Sequence, residues 1–120
     1  MTAASSSGRP APEQKQPASV NFLTRLPLGA DIPALDGKEL RLQLTTYAPG
    51  AIGTLHSHEG KVEVVYALSG SIIEHHRDGR SIVYEAGDSF AANKDTFHYF
   101  ENRGAEPAQL IVAMIVERPS

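Results

Sequence analysis

From Lys38 onward the chain is cut into short β-type runs by turn-forming residues: KVEVVYALSG breaks at Gly70, SIIEHHR at Asp78-Gly79 and SIVYEAGD at Gly87. Glycine reaches the backbone angles that tight turns require, and Asp-Gly between two β-type runs is a strong hairpin signal. Pro and Gly recur too often for a long helix, and no stretch keeps a helical period. The pattern predicts an all-β fold, a sandwich or a barrel.

In KELRLQLTTYA, Leu40, Leu42 and Leu44 alternate with Arg41, Gln43 and Thr45, the period of two of a half-buried strand. The run from Leu110 to Val116 is apolar on both faces, so one face meets the barrel core and the other needs a cover; a second subunit is the expected one. Ahead of these strands, Pro27, Gly29 and Pro33 confine Val20 to Pro33 to edge pieces wrapped on the outside of the barrel. Residues 1–19 are rich in Ser, Ala, Pro and Gln with almost no large apolar side chains, which predicts a disordered N-terminal arm, with 20–120 as one barrel domain.

At 120 residues the chain holds one core, not two. The net charge of −3 and the scatter of the Lys and Arg residues leave no footprint for nucleic acid. No run of apolar residues is long enough to span a bilayer, and the N-terminal segment lacks the apolar stretch of a secretory signal. The expected compartment is therefore the cytoplasm; a start further upstream in the gene would reopen that point. The chain has no cysteine, which leaves imidazole and carboxylate as the strong metal donors.

His56 and His58 stand two apart, so in an extended strand both side chains leave the same face with Cα atoms only about 7 Å apart, and both rings can converge on one ion. Glu63 is set among Val62, Val64 and Val65, where a buried carboxylate calls for a cation. His98, flanked by Phe97, Tyr99 and Phe100, supplies a third imidazole.

The stretch GAIGTLHSHEGKVEVVYALSG, with Gly50, His56, His58, Glu63 and Gly70, resembles the first motif of the cupin superfamily, and GDSFAANKDTFHYFEN, with Gly87, His98 and Asn102, resembles the second. Asn93 and Asp95 stand where that family usually carries Pro and Gly, a departure that alters a turn and touches no ligand. The motifs cover residues 50–70 and 87–102 within a resemblance running from about 38 to 118. What the resemblance implies is a double-stranded β-helix (jelly-roll-like) barrel in which His56, His58, Glu63 and His98 ligate one divalent metal. Three imidazoles and a carboxylate accept Fe, Mn, Co, Ni, Zn or Cu.

Strand alternation sends one of the adjacent pair His75 and His76 inward, to stand behind a ligand or against a substrate; their order alone does not say which. The aromatics Tyr47, Tyr66, Phe90, Phe97, Tyr99 and Phe100 are expected in the core or at the barrel rim. Two functions follow. One is a metal-dependent enzyme, a dioxygenase or an isomerase/lyase, acting on a small organic molecule, with Glu63 and the inward histidine as proton-transfer groups. The other is a non-catalytic module that binds or senses a small molecule or a metal. Exposed strand edges and the doubly apolar last strand make a homodimer the expected assembly.

Overall fold

Alternation and turn chemistry yield nine strands in the computed structural model, which describes residues 18–118. They are β1 (Ser19–Pro27), β2 (Lys38–Tyr47), β3 (His56–Ser57), β4 (Glu63–Ser69), β5 (Ser71–His76), β6 (Ser81–Glu85), β7 (Ser89–Ala92), β8 (Phe97–Glu101) and β9 (Ala108–Glu117), with a single 3₁₀ turn at Pro33–Leu35. No helix among the described residues is long and apolar enough to cross a membrane. The arm expected over 1–19 lies outside the described residues except for Ala18 and Ser19, and Ser19 already opens β1.

The strands form two antiparallel sheets, one in the order β1-β2-β9-β4-β7 and the other in the order β3-β8-β5-β6. Their facing sides enclose a core of Val65, Ala67, Ile72, Phe100, Ala108, Leu110 and Val112. Tyr47, Tyr84 and Phe90 pack against it, and the Tyr84 and Phe90 rings stack with centroids 4.1 Å apart. Tyr66, by contrast, points outward and is exposed.

Two glycines show why the turns fall where they do. The β5–β6 hairpin closes through bonds from Gly79 N to His76 O and from His76 N to Arg80 O, with Gly79 at φ 99°. Gly70 links β4 to β5 at φ 76°, and a Cβ there would lie 2.4 Å from the Pro107 carbonyl oxygen. The first position needs the left-handed backbone; the second needs the space as well.

β2 carries its alternation the opposite way from a simple apolar-inside pattern. Thr45 is buried, and Gln43, Thr45 and Tyr47 line the barrel interior, while Leu40 on the other face is exposed. The reason lies in what the barrel holds beside its apolar core: a cavity of ≈250 Å³, walled partly by these polar side chains. The apolar face of β2 instead joins an outer surface. The register sets Leu26 beside Leu40 and Leu40 beside Ile115, Leu42 beside Ala113 and Ala113 beside Val64, and Leu44 beside Ile111 and Ile111 beside Tyr66. On β9, Ala108, Leu110, Val112 and Val116 are buried, and Ile111, Ala113 and Ile115 lie on this outer face.

Candidate metal centre

The register of the four-stranded sheet delivers the site. His56 on β3 stands opposite His98 on β8, and His98 opposite His76 on β5, so these side chains share one face of the sheet. His58 follows directly after β3, held by a bond from its N–H to Thr96 O. Glu63 comes from β4 in the opposing sheet.

One ligating nitrogen from each of His56, His58 and His98 lies within 4.8 Å of the others. The rings meet edge to face, with centroids 4.7 to 4.9 Å apart. Their hydrogen bonds fix where the protons are. His56 Nδ1 donates to Thr54 O at 2.8 Å, His58 Nδ1 to Lys61 O at 2.7 Å and His98 Nδ1 to Glu74 Oε2 at 2.6 Å. A carbonyl or carboxylate oxygen can only accept, and a neutral imidazole has a single N–H, so each Nε2 is a bare lone pair.

Two of these lone pairs, His56 Nε2 and His58 Nε2, face each other at 3.1 Å with no proton between them. His98 Nε2 is buried with no hydrogen-bond partner. Such an arrangement is costly by itself, because buried polar atoms are nearly always paired. A cation accepting all three lone pairs removes that cost. Nitrogen donors also match the ligand chemistry of first-row divalent ions.

Electrostatics point the same way. Burial lowers the pKa of His56, and lowers that of His58 to about 4 with further depression from His98 and His56, so both rings are neutral near pH 7. Glu63 is pushed up to about 7 by burial and then by the nearby Glu74, opposed by Lys61. Its Oε2 lies 3.4 Å from His58 Nε2. The structure thus brings the three histidines together and sets Glu63 beside His58, at the wall of the cavity that His56 and His58 also line.

The adjacent histidines of β5 separate as strand alternation requires. His76 takes the inner face, where its Nε2 lies 3.1 Å from Glu74 Oε1; it stands behind His98 and is not part of the cavity wall. His75 faces outward, bonded through Nδ1 to Ser81 Oγ and through Nε2 to Glu101 Oε1, with its ring stacked on Tyr99.

Sequence reasoning missed Glu74. Its carboxylate is buried and accepts from His98 Nδ1 and from Tyr84 OH at 2.8 Å. Burial alone would raise its pKa, but these hydrogen bonds overcome that and hold it below the ordinary carboxylate value. The signal was present: Glu74 stands two residues after the buried Ile72 on one strand, an inward charge of the same kind that drew attention to Glu63.

The cupin domain family matches residues 43–114. The chain belongs to that family. Its fold is accordingly the double-stranded β-helix that the motifs implied.

Among curated cupin relatives, a germin-like protein (subfamily 2 member 1) from Arabidopsis thaliana is 30% identical over 92 residues, which cover 73% of this chain and 42% of that protein. An oxalate-binding protein from Thermotoga maritima is 31% identical over 68 residues, covering 57% of this chain and 55% of the relative. The chain thus spans about half the length of the curated relatives it matches. A crystal structure described as a predicted oxalate decarboxylase from Thermotoga maritima superposes with a TM-score of 0.65 at 22% identity, covering 96% of this chain and 99% of the other, and shows the shared fold.

Proposed function

We propose that this cupin is a metal-dependent enzyme acting on a small organic molecule, with His56, His58, His98 and Glu63 holding one divalent ion. The observation that carries this reading is the convergence of the three unprotonated Nε2 atoms, two of them 3.1 Å apart and the third buried without a partner. When bound, such an ion supplies Lewis-acid or one-electron chemistry to a ligand in the adjoining cavity.

The residues of the chain supply the rest. The cavity of ≈250 Å³ is smaller than the roughly 300–1,000 Å³ of pockets that take drug-sized ligands, which favours a compact substrate. Gln43, Thr45 and Tyr47 offer polar groups on one wall, and Val112, Met114 and Phe100 close the others. Glu63, with its pKa near neutrality, holds or gives up a proton at the cavity wall. The name of the oxalate-binding relative extends the reading to a small organic acid. The reaction class we propose is a dioxygenase or an isomerase/lyase.

The deciding experiment is elemental analysis of the purified protein beside a His56→Ala, His58→Ala double variant. About one equivalent of a divalent transition metal, lost in the variant, is expected. A wild-type protein that takes up none after reconstitution refutes the reading.

The name of the oxalate-binding relative favours a second reading, a module that binds a small acid without transforming it. Thermal stabilisation of the loaded protein by oxalate, with the oxalate recovered intact, selects that reading; consumption of the acid selects the enzyme.

The assembly we propose is a homodimer. The apolar outer face built from Leu40, Leu42, Ile111 and Tyr66, together with β1, whose residues are exposed throughout, is more apolar edge and surface than a lone barrel leaves uncovered. Sedimentation at micromolar concentration is expected to give twice the chain mass, and a monomer sinks the proposal.

A further inference from the structure

His56 and His58 take their Nδ1 partners from carbonyls of their own loop, two and three residues away. His98 cannot do the same. It lies inside β8, flanked by β3 and β5, where neighbouring backbone groups serve the ladders. Its partner must be a side chain, and the register provides one: Glu74 on β5 stands opposite Phe100, diagonal to His98 on the same inner face.

The geometry points to Glu74 as a positioning residue of the metal centre, whose carboxylate fixes His98 as the Nδ1–H tautomer so that Nε2 faces the site as a lone pair before any ion arrives. Three features support it. The His98 Nδ1 to Glu74 Oε2 distance is 2.6 Å, short enough for a charge-assisted bond. Glu74 is itself anchored on its other oxygen, by the Tyr84 hydroxyl at 2.8 Å and His76 Nε2 at 3.1 Å, so it cannot swing away. The far nitrogen of His98 is the described buried side-chain polar atom left without a partner, which is where a network built only for stability would have placed one. A carboxylate on the non-ligating nitrogen also makes an imidazole a better donor.

The consequence for metal binding rests on the proposed metal site; the tautomer itself can be read without any ion. In Glu74→Gln the amide either accepts from Nδ1 without charge or turns its NH₂ toward His98 and forces the proton onto Nε2. Either outcome weakens binding.

The test has two readouts. Long-range ¹H–¹⁵N spectra of the metal-free protein are expected to show His98 wholly as the Nδ1–H tautomer in the wild type and shifted or mixed in Glu74→Gln. Titration with Co(II) is expected to give an affinity about 10- to 100-fold lower for Glu74→Gln, and a smaller loss for Tyr84→Phe, which keeps the carboxylate. Glu74→Asp retains the charge on a shorter arm and serves if Glu74→Gln does not fold; it too is expected to lose affinity. A folded Glu74 variant with wild-type His98 resonances and Co(II) affinity within twofold of wild type overturns the inference. A wild type that binds no Co(II) refutes the metal-site proposal, while its His98 spectrum still decides whether Glu74 sets the tautomer.

Discussion

Asn102 is fully buried, and its side chain makes three hydrogen bonds that tie the end of β2 to the loop after β8. Its NH₂ donates to Tyr47 O at 2.8 Å and to Glu106 O at 2.9 Å, and its Oδ1 accepts from Gly104 N at 2.8 Å. Asn102→Ala removes all three; Gly104 and Glu106 lie on an exposed loop where water can replace part of what is lost, while Tyr47 is half-buried. At a net of about 0.5–1.5 kcal/mol for each lost hydrogen bond, the loss comes to about 2–4 kcal/mol, a large part of the stability of a domain of this size. In a domain of about 100 residues that lowers the Tm by about 10–20 °C.

The measurement is urea unfolding of both proteins by tryptophan-independent probes, far-UV circular dichroism and tyrosine fluorescence, in the metal-free state. Coincident curves and an unchanged m-value would license the comparison. Asn102→Asp sharpens it. The aspartate keeps an acceptor for Gly104 N but turns an oxygen toward Tyr47 O and Glu106 O, so repulsion and burial raise its folded pKa. Its stability must then fall as pH rises above about 4, where the unfolded carboxylate ionises freely, whereas the alanine variant shows no such slope. A loss below about 1 kcal/mol in Asn102→Ala, with the m-value unchanged, would refute the claim that this side chain ties the barrel end together.

Gly70→Ala combines a positive φ with a Cβ placed 2.4 Å from Pro107 O and 2.7 Å from Ala108 Cα, so backbone must move; a loss of several kcal/mol, about 3 or more by thermal melt, is expected, and a neutral result would show that the β4–β5 link yields readily. Glu63 has a folded pKa of about 7, above its unfolded value, so its contribution to metal-free stability is fully present below about pH 4.5 and is lost as pH rises through 7. Relative to Glu63→Gln, the wild type is therefore expected to lose about 2–3 kcal/mol between pH 4.5 and 8, read from denaturant midpoints without metal; a pH-independent difference would mean that Glu63 is not desolvated.

The features legible in the sequence were those whose signal is local. Turn positions at Gly70, Asp78-Gly79 and Gly87 could be read because each turn is decided by its own few residues. His56 and His58 could be paired because strand geometry alone puts both on one face. What escaped depended on partners far along the chain. Whether Leu40, Leu42 and Leu44 face inward is decided by the barrel holding a polar-walled cavity and by β9 and β4 continuing an apolar surface outside. Which of His75 and His76 faces inward is set by the phase of β5 relative to the buried Ile72 and Glu74, which adjacency alone does not reveal.

The two inward carboxylates show what a residue's partners decide that its type does not. Glu63 and Glu74 are both buried, yet one is pushed up to about 7 and the other held below the ordinary range. Glu74 receives the N–H of His98 and the hydroxyl of Tyr84, which stabilise its charge. Glu63 approaches His58 Nε2, a lone pair that offers no proton, and feels the charge of Glu74 besides. The metal-free site therefore carries its anion behind His98 and a proton on the opposite wall, the separation of acid from base that environment imposes on paired carboxyl groups. A divalent cation reaching the three lone pairs would meet Glu63 with that proton still on it, so uptake near pH 6 must release close to one proton from the Glu63 side, and Glu63→Gln must abolish that release. Metal titrations in two buffers of different ionisation enthalpy measure this directly, and equal proton release by wild type and Glu63→Gln would assign the proton to a histidine instead.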